Sequence, residues 1–276
     1  MSLRRCRPLL GTFVEIEAEC ADAIEAAFEA VARIHRLMSA HEADSELSRL
    51  NRSAATGAVR LSRDMRIVLD RALFWARHSD GLFDPVAAGR AAVARGDIPL
   101  HGGQPAPDPA ADYHALILDE NMARLDRPAC VDLGGIAKGH AVDAAIAALR
   151  EAGMTDGLVN AGGDLLAFGR PRRVDVPDPA NGTARLTFTL CDRALATSAA
   201  QRGDADMSFA HLPHRCRDYI SVTVEAARAI DADALTKIAF ARHPRLPHLL
   251  AMADARAVAI TTSGNVTELC GERLAA

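Results

Sequence analysis

The chain has 276 residues, a formal net charge of −4 at pH 7 and hydrophobic residues at 49% of its positions, which is enough apolar material for one domain over residues 1–276, with two intimate subdomains as the alternative. Its arginines are dispersed among acidic residues and form no basic stripe, so nucleic-acid binding is not expected. No run approaches the roughly 18 apolar residues that a membrane-spanning helix needs, and no membrane span is predicted.

The first quarter of the chain predicts a strand followed by two helices. Alternating apolar residues within 13–19 indicate the strand, and the acidic residues there interrupt any apolar leader, so the chain as given is expected in the cytoplasm. Apolar residues at helical spacing predict a helix over residues 21–40. A second helix is predicted over residues 63–78, with Ser62 as its N-cap and Gly81 as its stop signal.

Turn-forming and polar residues dominate the segments that follow each helix. The polar segment 39–53 is predicted to be rich in turns, and residues 81–92 to be part loop and part helix. Residues 97–113 are dense in Pro, Gly and Asp and are predicted to form an exposed connector. Residues 114–128 predict a hairpin with its turn at residues 119–121.

The second half predicts more strands and two further helices, so the fold class is α+β, with mixed or antiparallel sheets and packed helices. A strand ending at Leu133 is followed by two glycines and then by a helix over residues 136–150, with Gly153 as its stop signal. Residues 157–169 predict two strands around a Gly-Gly turn. The remaining predicted elements are strands over residues 185–190, 194–198, 219–226 and 257–264 and a helix over residues 232–242.

The six cysteines are scattered along the chain without a C-x-x-C pair. This spacing argues against a disulfide framework and against a zinc site. They are therefore predicted to be reduced and mostly buried thiols.

Three stretches combine residue types that suit phosphate chemistry. In DLGGIAKGHAVD, Gly134 and Gly135 precede a predicted helix whose N-terminal N–H groups suit a phosphate, with Lys138 about one turn in. A Gly-rich turn with a surface lysine explains this pattern equally well. The stretch NAGGD reads more simply as a hairpin turn, and Asp233, which shares a helix face with Thr236, reads more simply as a helix cap.

Taken together and in order, these stretches resemble the ApbE family, the FAD:protein FMN transferases. The resemblance covers about residues 7–240, most of the chain, and no single motif in it is specific. The motifs that carry it are LLGT (9–12), DSELSRLN (44–51), LFDP (82–85), DLGGIAKGHAVD (132–143), NAGGD (160–164), ATS (196–198), SVTV (221–224) and ADAL (232–235).

The resemblance implies a specific reaction and a specific set of site residues. Members of this family use Mg2+ to cleave the pyrophosphate of FAD, transfer FMN to a threonine or serine hydroxyl of a flavin-acceptor protein, and release AMP. The residues that fall where the family contacts FAD are Leu10, His41, Leu82, Phe83, Asp84, Asp132 and Lys138. Those that fall at or near its metal ligands are Gly135 (through its carbonyl), Asp233 and Thr236, and the catalytic candidates are Lys138, Asp233 and His211.

The chain departs from the family pattern at three places. Lys237 stands where the family usually has a metal-binding threonine, and protonated lysine is no ligand for Mg2+. Three interpretations are open: Lys237 points away from the metal, it pairs with Asp233 in place of the metal, or the metal site is lost. The segment around His211 lacks the family's Asp-Pro and Thr-Gly elements, and no leader is evident although relatives are usually exported.

These departures leave several functional hypotheses in competition. The first is a flavin transferase with FAD as substrate and Mg2+ as cofactor. The alternatives are a non-catalytic flavin-binding protein, an FAD pyrophosphatase that gives FMN and AMP, and an α+β protein of unrelated function.

Overall fold

The computed structural model describes residues 2–179, 182–199 and 218–269, and it contains two compact units. The first unit combines residues 2–32 with the described residues from 138 onward, and the second comprises residues 33–137. Helices and antiparallel sheets occur together, so the predicted α+β class is confirmed. No helix within the described ranges is long and apolar enough to cross a membrane.

The secondary structure alternates between hairpins and helices along the chain. The strands are β1 (Leu3–Leu9), β2 (Thr12–Ala18), β3 (Val59–Arg60), β4 (Leu116–Asp119), β5 (Met122–Leu125), β6 (Gly157–Ala161), β7 (Asp164–Phe168), β8 (Arg172–Pro177), β9 (Ala184–Leu190), β10 (Arg193–Ala199), β11 (Tyr219–Ala226), β12 (Arg256–Thr261) and β13 (Val266–Glu268). The helices are α1 (Ala21–Met38), α2 (Glu46–Asn51), α3 (Ser53–Thr56), α4 (Arg63–His78), α5 (Pro85–Arg95), α6 (Ala137–Glu151), α7 (Ala229–Phe240) and α8 (Leu246–Met252), with a short 3-10 helix at Tyr113–Ala115.

The first unit is built on an eight-stranded antiparallel sheet in the order β1-β2-β6-β7-β10-β11-β12-β13. Alternation in β2 buries Val14, Ile16 and Ala18 while Phe13 is 70% exposed, as expected for a strand with one covered face. Helix α7 packs against β10 and β11, and all of its residues are buried. The β8–β9 hairpin forms a separate two-stranded sheet.

The second unit packs helices α2 to α5 with a three-stranded antiparallel sheet in the order β3-β5-β4. Helix α4 has the predicted bounds, with the Ser62 hydroxyl accepting the Met65 N–H and Gly81 in a left-handed conformation after its end. Trp75 and Val68 on α4 are completely buried. Residues 114–128 form the predicted hairpin of β4 and β5.

The prediction of turns over residues 39–53 is wrong from residue 46 onward, where α2 and α3 form. Three polar side chains of this segment are buried and have specific hydrogen-bond partners. The Ser45 hydroxyl caps α2, the Glu46 carboxylate accepts the Ser62 N–H at 2.7 Å, and Asn51 exchanges two hydrogen bonds with Val131. The partners of Glu46 and Asn51 are distant in sequence, so the local composition of the segment does not predict these contacts.

The predicted strand before Gly134 is also wrong, because residues 129–133 are irregular. The Val131 N–H donates to the Asn51 side chain and the Asp132 N–H to the Pro85 carbonyl, so neither belongs to a strand ladder. Helix α7 begins three residues earlier than predicted, and β1, β8, β13 and α8 were not predicted. Of the four described cysteines only Cys130 is buried, so the prediction of mostly buried thiols is wrong for them.

Candidate functional site

Two lysines and two aspartates of the first unit form a compact charged cluster. Lys138 lies in the first turn of α6, Asp164 is the first residue of β7, and Asp233 and Lys237 lie one turn apart on α7. The Lys138 ammonium forms an ion pair with Asp164 and lies 3.9 Å from Asp233 Oδ1. Lys237 Nζ lies 2.5 Å from the same Oδ1 atom. Two ammonium groups therefore converge on one carboxylate oxygen.

Asp233 is completely buried, and its second oxygen is also occupied. Asp233 Oδ2 accepts the backbone N–H of Gly139 at 3.2 Å. The absence of a side chain at Gly139 permits this approach, because a Cβ there would lie 2.2 Å from the Ala229 carbonyl oxygen. Helix α6 thus touches the first turn of α7 backbone to backbone.

The start of α7 is capped by a carboxylate from α6. Arg228, at the N-cap position, makes no side-chain capping bond. Asp143 instead accepts the Ala229 N–H at 2.8 Å and the Ile230 N–H at 3.0 Å. A carboxylate at this end also interacts favourably with the helix dipole. Asp143 therefore fixes the helix that carries Asp233 and Lys237.

The pKa values of the two aspartates in the cluster are shifted in opposite directions. Burial and the neighbouring Asp233 charge raise the pKa of Asp164 above its ordinary value. Burial also acts to raise the pKa of Asp233, but the ammonium groups of Lys138 and Lys237 outweigh it and hold that pKa below 3.8. Burial acts to lower the pKa of Lys138, and the two carboxylates more than reverse this. Asp233 is therefore an anion and Lys138 a cation at neutral pH.

A glycine turn leads into the cluster between β6 and β7. The Asn160 side-chain oxygen accepts the Gly163 N–H at 2.9 Å, which closes the turn. Gly162 has φ of +65°, and a Cβ there would lie 2.4 Å from the Thr12 hydroxyl. Gly163 has φ of +98°, so this position also favours glycine, and the turn places Asp164 at the start of β7, where it is 2% exposed.

Comparison of the sequence with models of protein families assigns the chain to a family. The sequence model of the ApbE family matches residues 10–261. The chain belongs to the ApbE family. The prediction from its motifs is therefore confirmed.

Two relatives of this ApbE-family chain carry the name FAD:protein FMN transferase. The protein from Treponema pallidum (strain Nichols) is 28% identical, over 86% of this chain and 77% of the relative. The protein from Rhodobacter capsulatus is 29% identical over 94% of this chain, which spans only 55% of that relative's length.

Solved structures support the fold. The ApbE protein of Thermotoga maritima matches with a TM-score of 0.81 and 23% identity, over 97% of each chain. The flavin transferase ApbE of Vibrio cholerae matches with a TM-score of 0.81 and 21% identity, over 97% of this chain and 96% of that one.

The remaining residues predicted for FAD contact are divided between the two units. Leu10, in the β1–β2 turn of the first unit, is half-buried with φ of +57°. The others belong to the second unit: His41 is exposed, Leu82 is half-buried, and Phe83, Asp84 and Asp132 are buried. His211 lies outside the described residues.

Asp84 and Asp132 are both committed to backbone groups. Asp84 Oδ1 accepts the N–H groups of Val86 and Ala87 at the start of α5, and Oδ2 accepts the Tyr113 N–H at 3.0 Å. Burial is the main cause of the raised pKa of Asp84. Asp132 Oδ1 accepts the Gly134 N–H at 2.8 Å. Asp84 is therefore the N-cap of α5.

The residues predicted to hold Mg2+ do not form a fitting donor set. Mg2+ prefers six oxygen ligands, including one or two carboxylates. Both Asp233 oxygens are engaged, and the Thr236 hydroxyl donates to the Asp233 carbonyl at 2.7 Å and contacts the Ser198 hydroxyl at 2.8 Å. Gly135, in the second unit, is buried. Among the described residues no group of three or more His, Cys, Asp or Glu side chains is placed to hold a metal.

Of the three interpretations of Lys237, the one in which it points away from Asp233 is wrong. Its ammonium contacts the Asp233 carboxylate directly. Asp164 and Asp143 were missed as individual site residues, although both lie inside the motifs quoted for the family. The available signal was an acid directly after a Gly-Gly turn and a second acid that ends the DLGGIAKGHAVD stretch.

Proposed function

We propose that this chain is an FAD:protein FMN transferase that moves FMN from FAD to a threonine or serine hydroxyl of an acceptor protein and releases AMP. The observation that carries the proposal is the cluster of Lys138, Asp164, Asp233 and Lys237. Membership of the ApbE family and the names of two relatives support it.

The reaction forms one phosphorus–oxygen bond and breaks another. The acceptor hydroxyl attacks the FMN-side phosphorus of FAD, the pyrophosphate bridge breaks, and AMP leaves with the bridging oxygen. The hydroxyl proton goes to a general base, for which His211 is the candidate from the family resemblance. Charge developing on the phosphate oxygens needs a fixed cation beside it.

Lys138 is the group that supplies this charge. Its side chain is 32% exposed, whereas those of Asp164 and Asp233 are 2% and 0% exposed. Its ammonium is held by two buried carboxylates, so it meets the pyrophosphate already oriented. Asp233 and Asp164 act here as positioning residues.

The other predicted FAD contacts are part of the proposal. Leu10, Leu82 and Phe83 would pack against the flavin nucleotide, and the His41 ring would stack on it. Asp84 and Asp132 would act mainly through the backbone turns that they fix. No step is assigned to Mg2+, because the side-chain oxygens of Asp233 and Thr236 already take part in hydrogen bonds within the protein.

The proposal is tested by following both products of FAD. The purified chain is incubated with FAD and a protein extract, AMP and FMN are quantified by chromatography, and covalently bound flavin is detected by in-gel fluorescence. A fluorescent protein band with an equal amount of AMP supports the transferase. Free FMN equal to AMP supports the pyrophosphatase, and FAD retained without AMP supports the non-catalytic binding protein.

The matched variants are Lys138→Met and Glu151→Ala, which lie on the same helix. Lys138→Met should slow AMP release roughly 100-fold or more, as expected when a group that stabilises transition-state charge is removed. Glu151 is exposed at the far end of α6, so its variant should keep wild-type turnover. Equal turnover in the two variants would contradict the role of Lys138.

A further inference from the structure

Lys237 occupies the position at Asp233 where a bound cation would be expected. Its ammonium lies 2.5 Å from Asp233 Oδ1, and its side chain is 10% exposed. A lysine this deeply buried is unusual unless a carboxylate pairs with it. Asp233 and Lys237 are four residues apart on α7, so their side chains lie on the same face of the helix, one turn apart.

The charge balance of the cluster explains why a cation is needed there. With Asp164 and Asp233 both ionised and no charge at residue 237, Lys138 faces two buried carboxylates and one negative charge is left over. An uncompensated buried charge is strongly unfavourable, so such a site attracts a cation from solution. The ammonium of Lys237 brings the sum of the four groups to zero.

The same ammonium opposes a divalent ion at Asp233. Asp233 Oδ1 already has one ammonium at 2.5 Å and a second at 3.9 Å, and a third cation beside them is repelled. Lys237 offers no oxygen ligand, and the hydroxyl of Thr236 is turned to Ser198 and to the Asp233 carbonyl. The donor set therefore suits a built-in ammonium and not Mg2+.

We propose that Lys237 is the resident cation of this site and that its ammonium replaces the divalent metal, so that FAD binding and FMN transfer proceed without Mg2+. This inference rests on the proposed function, since it names how the same cluster is charged. Lys138 then faces the pyrophosphate, and Lys237 keeps Asp233 neutralised behind it.

The first test measures metal binding alone, with Mn2+ as the probe and its free-ion electron paramagnetic resonance signal as the readout. The wild-type chain should leave that signal unchanged. Lys237→Thr removes the ammonium and adds a hydroxyl, and it should bind one Mn2+ with an affinity roughly tenfold or more above wild type. The double variant Lys237→Thr/Asp233→Asn should lose this binding again.

The second test measures FAD binding by flavin fluorescence, with EDTA or with Mg2+. Wild-type affinity should be the same in both. Lys237→Met keeps the apolar stem but removes the charge, and its FAD affinity should become dependent on Mg2+. Circular dichroism melting identifies any variant that fails to fold, and the wild-type comparison needs no variant.

Two results would overturn the inference: Mn2+ binding by the wild-type chain that disappears in Asp233→Asn, or weaker wild-type FAD binding in EDTA than in Mg2+. Absence of FAD binding under every condition would overturn the proposed function instead. The Mn2+ comparison contains no flavin, so it would still decide the role of Lys237.

Discussion

Removing the Asp143 carboxylate should destabilise the first unit through the start of α7. Asp143 accepts two backbone N–H groups, from Ala229 and Ile230, that no residue of α7 itself satisfies. A buried donor without a partner costs about 1–3 kcal/mol, and the lost interaction with the helix dipole adds about 0.3–1 kcal/mol. Relief of the buried charge, whose pKa is raised mainly by burial, offsets part of this.

The net expectation for Asp143→Ala is a loss of about 2–4 kcal/mol in the free energy of unfolding. Asp143→Asn keeps one acceptor oxygen and should lose about half as much. Glu151→Ala, an acid-to-alanine change at the exposed end of the same helix, should stay within about 0.5 kcal/mol of wild type. The measurement is urea unfolding followed by circular dichroism.

The reasoning would be refuted by an Asp143→Ala variant as stable as Glu151→Ala. That result would mean that water satisfies the first N–H groups of α7 and that Asp143 has no capping role. A loss in Asp143→Asn equal to that in Asp143→Ala would instead assign the effect to the charge alone.

Three further predictions concern packing, pH and thiol reactivity. Gly139→Ala should lower the free energy of unfolding by about 1–3 kcal/mol through overpacking, because its Cβ would lie 2.2 Å from the Ala229 oxygen; Gly102→Ala, where the space is open, should not. Because burial raises the folded-state pKa of Asp84 above 3.8, its contribution to stability should fall as pH rises through the interval just above 3.8, and Asp84→Asn should remove that slope. Cys130, buried with its pKa raised to about 11, should react with iodoacetamide at pH 8 more slowly than the exposed Cys6 and Cys191 in peptide mass spectrometry.

Each of these has a simple contrary result. Equal unfolding midpoints for the two glycine variants would show that α6 and α7 separate without cost. A wild-type slope that persists in Asp84→Asn would assign the pH dependence to another carboxyl group. Alkylation of Cys130 as fast as that of Cys191 would mean that its surroundings open readily.

Elements whose signals are local were predicted from the sequence. Helix α4 has both a capping serine and a regular apolar stripe, and its predicted bounds agree with the structure. Strand β11 contains several β-branched residues, and its predicted bounds agree with the structure as well. In each case the deciding side chains lie within the element, so no distant partner was needed.

Elements whose signals are tertiary were missed. Strand β1 is an edge strand with exposed residues on both faces, so it shows no alternation. The first turn of α7 was missed although the helix itself was predicted, because α7 is buried on every side with little amphipathic pattern and its start is capped by Asp143, 86 residues away. The buried Asn51 is satisfied by Val131, 80 residues away. A prediction from a short stretch of sequence cannot include contacts between residues this far apart.

In the candidate site as well, local motifs were predicted from the sequence and tertiary contacts were not. Lys138 and Asp233 were chosen because their motifs resemble a family, whereas the ion pair of Lys138 with Asp164 depends on how α6 and β7 meet. Lys237 was noted as a departure from the family pattern, but three interpretations of it were open. Only the fold brings its ammonium to the oxygen that Lys138 also approaches.

The choice of lysine at these two positions follows from that geometry. The chain has 32 Lys plus Arg, and only Lys138 and Lys237 are lysine. A guanidinium is a broad planar fork that suits bidentate pairing, whereas an ammonium is a compact point charge. Two ammonium groups lie 2.5 and 3.9 Å from a single buried oxygen, and two guanidinium planes of greater size would compete for the same volume. Substitution of both lysines by arginine would therefore preserve charge but not the arrangement that orients Lys138.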